Sequence, residues 1–237
     1  MFPETWLPHL LGIMSKLHTR IGYLLGLNSS DTSSHFLKKV LQDCSTVLDI
    51  GANSGEFSIL CLDAYPSLNL VIVEPQVEMR EILVKNLGER HTYIWKAASD
   101  FSGEGFLDRS RIGDRKAAIS KERTQTAIEI TTVDYILKDI QAESIALMKV
   151  DAEGHDFQVL KGACQSISLN RIQKIMFEVN YKTLLNGNLP SDIETWLRSF
   201  GYDYFYRATR WFGFIQVHSL SNYRVETQNI LACKDKI

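Results

Sequence analysis
Residues 47–58 read VLDIGANSGEFS, an apolar β-forming run that reaches Gly51, passes Gly55 and continues as a helical pattern. Glycine is common in such a tight strand-to-helix turn for steric reasons alone. Asp49, at the last turn of the strand and beside the glycines, points to more than a turn. In a doubly wound sheet the carboxyl ends of the strands, near the switch in strand order, are where ligands bind. A dinucleotide site needs Gly-x-Gly-x-x-Gly, but this loop lacks the middle glycine and its Asp49 would repel a phosphate. No Gly-Lys-Ser/Thr follows, which excludes a P-loop.

A cationic, phosphate-free nucleoside suits the loop better. S-adenosylmethionine (SAM) carries a sulfonium and an ammonium, both favoured by an adjacent carboxylate. Gly51 and Gly55 let the backbone approach such a ligand closely, and Asn53 tolerates a left-handed conformation almost as glycine does. The second signal is Glu74, which follows the run NLVIV and stands 19 residues after Gly55. An acid there accepts hydrogen bonds from both ribose hydroxyls, as the equivalent acid does in dinucleotide folds.

Around these two signals, short apolar runs alternate with helical patterns. Strands are expected at 46–50, 69–73, 93–97, 145–150 and 174–179, with helices at 54–65, 76–87, 155–168 and 191–200. Strands apolar throughout and separated by helices imply a parallel sheet covered on both faces. The segment 101–134 breaks the alternation with a charged run, 108–123, followed by the strand-like TAIEITTVDYI. Residues 202–233 read as two further strands, YDYFYR and NILACK, around a long loop. We expect one doubly wound α/β domain over 45–237 with an N-terminal helical extension over 1–44.

In that extension Trp6, Leu7, Leu10, Leu11, Met14, Leu17, Ile21, Leu24 and Leu25 recur at spacings of three and four. This is one face of a helix, expected to pack on its own domain or on a second copy in a homodimer. An active-site lid and an interfacial membrane helix are the sharper alternatives. Glu4 comes first, and His9, Lys16, His18 and Arg20 interrupt the stripe, unlike a secretory signal. No apolar run reaches the length of a membrane span.

The 237 residues suit one full-sized domain and a short extension. Lys+Arg number 26 against 28 Asp+Glu, a formal charge of −2 that argues against a protein coating a phosphate backbone with cations. Cys44, Cys61, Cys164 and Cys233 form no Cys-x-x-Cys pair, and three lie in apolar runs. Buried thiols in a reducing, cytoplasmic compartment are therefore expected, rather than disulfides or a zinc site.

The richest cluster of ionisable groups is KVDAEGHD, residues 149–156, at the end of the fourth strand. An acid at a helix start is often only a cap. A position facing the ligand crevice raises the functional reading. If the reaction is methyl transfer, an in-line displacement, the protein mainly aligns acceptor, methyl and sulfur, and an alcohol acceptor must lose a proton. Asp151 is the first candidate because a strand-end acid is geometrically committed. His155 is the second, since its ordinary pKa lies nearest neutrality, and Glu153 is the third. Glu178 and Asn180, ending the fifth strand, would offer oxygens to a Mg²⁺ on the acceptor. Two or three oxygens and no His-rich cluster make Mg²⁺ the lesser reading against Glu178 simply pairing with Lys149 or orienting substrate.

VLDIGANSGEFS, then VIVEP at 71–75, AASD at 97–100 and LMKVDAEGHDFQVLKGA at 147–163 together resemble the FkbM-type family of SAM-dependent methyltransferases. The most specific piece, KVDAEGHDFQVLKGA, is similar to the family's Lys-hydrophobic-Asp-x-Glu-Gly-x-Glu signature, with Asp156 where Glu is common. The resemblance implies a class I methyltransferase (Rossmann-like) fold with a seven-stranded sheet whose last strand is antiparallel. It implies O-methylation of a sugar or other small metabolite, and it places the adenine pocket at Ala98, Ser99 and Asp100. Ser-Asp is also ordinary turn chemistry.

Two rival functions remain. Arg207, Arg210, Trp211, Phe212 and Phe214 mix charge with aromatic rings that can stack bases, as in a nucleic-acid methyltransferase. Against it stand the net negative charge and the lack of an Asn/Asp-Pro-Pro-aromatic motif, so no nucleic-acid partner is expected. A non-catalytic cofactor-binding scaffold is the other, opposed by the presence of Asp49, Glu74 and Asp151. The run 108–123 holds Arg109, Arg111, Arg115, Lys116, Lys121 and Arg123 against Asp108, Asp114 and Glu122. It reads as a solvated loop first and as a flap attracting an anionic acceptor second.

Overall fold
Strand β1 (Thr46–Ile50) is buried from Val47 onward, on both faces. Leu48 and Ile50 point into one apolar core, Val47 into the other. This double burial follows from β1 lying inside a sheet with helices on each side. The structure, a computed structural model, describes residues 34–42, 45–108, 118–120, 126–209, 213–221 and 227–237.

After helix α1 (Ser34–Val40) and β1 come α2 (Glu56–Ala64), β2 (Asn69–Val73), α3 (Met79–Leu87) and β3 (Thr92–Ile94). Then follow β4 (Ala97–Ala98), β5 (Gly103–Asp108), β6 (Ala118–Ser120), β7 (Thr126–Thr131) and α4 (Val133–Asp139). Next are β8 (Leu147–Val150), α5 (Asp156–Lys161), α6 (Cys164–Ser168), β9 (Lys174–Val179), α7 (Tyr181–Leu185) and α8 (Pro190–Arg198). The chain closes with β10 (Tyr204–Thr209), β11 (Gly213–Val217) and β12 (Gln228–Cys233).

The main sheet runs β11-β10-β12-β9-β8-β1-β2-β3. β3, β2, β1, β8 and β9 are parallel, while β12 is antiparallel to both β9 and β10. The doubly wound class I sheet is therefore present, with eight strands rather than seven. The extra strand is β11, which pairs antiparallel with β10 at the edge, in what reads from sequence as loop. Leu37, Val40 and Leu41 are buried with α2 and α3 residues in one core, and α4, α5 and α8 residues fill the other.

Three further expectations change. YIWKA does not form one strand: Thr92–Ile94 joins the main sheet, whereas Ala97–Ala98 pairs with Ile130 and Thr131 in a second sheet, β4-β7-β5-β6. TAIEITTVDYI is a strand only to Thr131. There Thr132 accepts a hydrogen bond from the Tyr135 amide at 3.1 Å and starts α4. Val133, Ile136 and Leu137, spaced three and four apart, are all buried. Thr132→Ala should cost about 1 kcal/mol in urea unfolding, the usual loss of an N-cap; an unchanged midpoint would show that α4 needs no cap. The helix expected over 155–168 breaks at Gly162, where a Cβ would lie 1.9 Å from the Ser99 carbonyl oxygen.

The free cysteines also divide: Cys61 and Cys233 are buried, but Cys164 is exposed. No helix among the described residues is long and apolar enough to cross a membrane. The 5–28 stripe, Cys44, residues 109–117 and 121–125 of the charged run, and residues 210–212 lie outside the described residues.

Candidate active site
The carboxyl ends of β1 and β8 meet at Gly51 and Asp151. Asp151 N–H donates to the Ile50 carbonyl at 3.0 Å, and Gly51 N–H to the Val73 carbonyl at 2.9 Å. Gly51 has φ +75, and a Cβ there would lie 2.0 Å from the Asp151 carbonyl oxygen. Glycine is thus required first by the neighbouring strand end rather than by ligand space. Asn53 has φ +50, within the left-handed region anticipated for it, and Gly55 with φ +85 caps α2.

Glu74 is 2% exposed at the end of β2. Its Oε2 accepts the Asn53 N–H and its Oε1 the Gln76 N–H, each at 2.8 Å. The carboxylate therefore holds the glycine loop in place, and it accepts from the Gln76 side chain as well. Burial pushes the Glu74 pKa up, against the pull of those two amides.

Asp49 is fully buried on the α2 face of the sheet. Its Oδ2 accepts from the Ser58 hydroxyl at 2.7 Å, while its buried Oδ1 has no hydrogen-bond partner. Register sets Lys149 directly beside it. The Lys149 ammonium lies 3.8 Å from Asp49 Oδ1 and bonds Asp151 Oδ2 at 3.1 Å. Burial raises the Asp49 pKa against the opposing pull of Lys149. Burial lowers that of Lys149, but Asp151 and Asp49 outweigh it and hold the ammonium above the usual lysine value. Lys149 and Ser58 were not singled out as site residues from sequence. The period of two along KVD, with a parallel register to LDI, is the signal that points to Lys149.

The three proton-acceptor candidates occupy different surroundings. Asp151 has a side chain 33% exposed at the strand end. Glu153, at φ +54, is ion-paired at 2.5 Å with Lys182 of α7. His155 places Nε2 2.9 Å from the Ser99 hydroxyl, and burial lowers its pKa, opposed by Asp100. Asp156 is fully buried and accepts from the Gly154 and Glu178 amides at 3.1 and 3.2 Å. Burial, then Glu178 and Asp151, push its pKa well above the carboxylate range.

The donor set does not suit a Mg²⁺ held by Glu178 and Asn180. Asn180 Oδ1 caps α7 by accepting from Lys182 and Thr183 amides, and its Nδ2 donates to Glu178. No group of three or more His, Cys, Asp or Glu side chains among the described residues is arranged for a metal ion. Ala98 and Ser99 are buried and Asp100 is exposed, beside the loop that carries His155.

A comparison with curated proteins gives no match. Solved structures of similar fold include a TehB-like SAM-dependent methyltransferase from Corynebacterium glutamicum, with TM-score 0.48, 8% identity, and 96% of this chain and 100% of that chain covered. An rRNA methylase from Streptococcus thermophilus has TM-score 0.48 and 11% identity, over 86% and 94% of the two chains. A Streptococcus mutans protein in complex with SAH has TM-score 0.46 and 9% identity, over 84% and 94%. The methyltransferase FkbM domain model matches residues 28–204, well over half of the sequence. The chain therefore belongs to the FkbM family of SAM-dependent methyltransferases.

Proposed function
We propose that this methyltransferase acts on a hydroxyl of a small metabolite, sugar or glycan. The observation that carries its SAM site is Glu74, a buried carboxylate at the end of β2 that orders the glycine loop through the Asn53 amide at 2.8 Å. Asp49, Gly51, Asn53 and Gly55 would hold the methionine end, Glu74 the ribose, and Ala98, Ser99 and Asp100 the adenine. SAM, when bound, supplies an electrophilic methyl group on a sulfonium.

Asp151 is the proposed proton acceptor and orienting group for the hydroxyl. Its partner Lys149 is a fixed cation 3.1 Å away that orients the carboxylate at the strand end. Glu153 is engaged by Lys182 and shapes the wall of the crevice. The free thiols Cys61, Cys164 and Cys233 suit the cytoplasmic setting proposed from sequence.

Mass spectrometry of the purified chain for retained SAM or SAH, followed by a screen of hydroxylated acceptors, tests the function. Methylated hydroxyl products are expected; methylation of RNA alone would replace the acceptor class. Glu74→Ala should weaken SAM binding by about 1–3 kcal/mol, the scale of hydrogen bonds to a charged group. Calorimetry showing unaltered affinity in the folded variant would remove Glu74 from the site.

A further inference from the structure
We propose that His155 is a positioning residue for adenine recognition. Through the Ser99 hydroxyl it aims the Asp100 carboxylate at the adenine 6-amino group. The proposal rests on the SAM reading above and gives His155 a different task from proton removal.

Three side chains form the relay. The Ser99 hydroxyl donates to Asp100 Oδ1 at 3.1 Å and lies 2.9 Å from His155 Nε2. A hydroxyl has one proton. With that proton directed at the anionic Asp100, its oxygen accepts, and His155 must present Nε2–H. Burial lowers the His155 pKa and so favours the neutral ring, which in this relay carries its proton on Nε2. The nitrogen that faces Ser99 is then a donor and takes up no proton.

Ser99 is held firmly enough to pass on that orientation. It is fully buried, and its N–H donates to the Thr131 carbonyl at 2.9 Å. Its own carbonyl lies against Gly162, leaving no room there for even a methyl group. Asp100, by contrast, is exposed, and a lone exposed carboxylate samples several rotamers. The Ser99 hydroxyl selects one of them, and His155, fixed at the start of α5, selects the direction of the hydroxyl. Recognition of an amino group by a carboxylate needs such fixed aim, because ordering a free side chain consumes part of the interaction.

The test compares binding of S-adenosylhomocysteine with that of S-inosylhomocysteine, which replaces the 6-amino donor by an oxo acceptor. The wild-type chain should prefer the adenosyl ligand by roughly ten- to a hundredfold, the scale of one hydrogen bond to a charged group. His155→Phe and Ser99→Ala should bring that preference close to unity, and His155→Gln, whose amide N–H can replace Nε2–H, should restore most of it. A His155→Phe chain that folds and keeps the full preference overturns the relay and returns His155 to the proton-acceptor role. A wild-type chain that binds neither ligand overturns the SAM reading itself, an outcome distinct from equal binding of both, which overturns only the adenine contact.

Discussion

Gly51→Val should abolish SAM binding and destabilise the folded chain by about 2–4 kcal/mol, through backbone strain and steric overlap at one position. The residue sits at φ +75, where a β-branched side chain is strained. Its Cβ would meet the Asp151 carbonyl oxygen at 2.0 Å, an atom fixed by the backbone at the end of β8. Relief requires the ends of β1 and β8 to part, which shifts Asp49, Lys149 and Asp151 together. Gly187→Ala is the control: that glycine also has φ +75, but a Cβ there meets nothing within 4 Å. It should cost only the conformational strain, about 1 kcal/mol. Urea unfolding and SAM titration of both variants decide the matter. If Gly51→Val unfolds at the wild-type midpoint and binds SAM normally, the strand crossing tolerates displacement and the site does not depend on it.

The parts of this site that were legible in the sequence are those encoded by neighbouring residues. A β-forming run, an acid and two glycines within VLDIGANSGEFS suffice for a strand, a ligand-facing loop and a helix start. NLVIVE adds the acid at the second strand end. What was not legible depends on residues brought together from a distance. Lys149 lies beside Asp49 only once β8 is known to pair with β1. Glu153 looks like a free acid until Lys182, on the helix after β9, closes on it. The His155–Ser99 contact joins residues 56 positions apart. The strand misreadings have local causes. Alternation through TAIEITT continues into VDYI by residue type, yet the Thr132 cap and the buried set Val133, Ile136 and Leu137 follow helical spacing.

Asp151→Asn should leave SAM affinity near wild type while lowering kcat by about 10²–10⁴-fold, the usual span for loss of a general base. The substitution preserves shape, and an asparagine oxygen can still accept from Lys149, so the strand crossing at Gly51 should survive. What disappears is the negative charge and the capacity to take a proton. Lys149 still lies beside the Asp49 carboxylate at 3.8 Å, which favours its charged form, and Glu153 is engaged by Lys182. Asp49 is buried beside α2, bonded to Ser58 and set on the same sheet face as Lys149. Among the three candidates of the KVDAEGHD turn, Asp151 therefore combines a fixed cationic partner with a partly exposed side chain at the strand end. The measurement is a paired one, SAM affinity by calorimetry and turnover of the acceptor identified for the wild-type chain. A variant that keeps wild-type kcat would show that Asp151 serves only to seat Lys149, and that the hydroxyl loses its proton to another group.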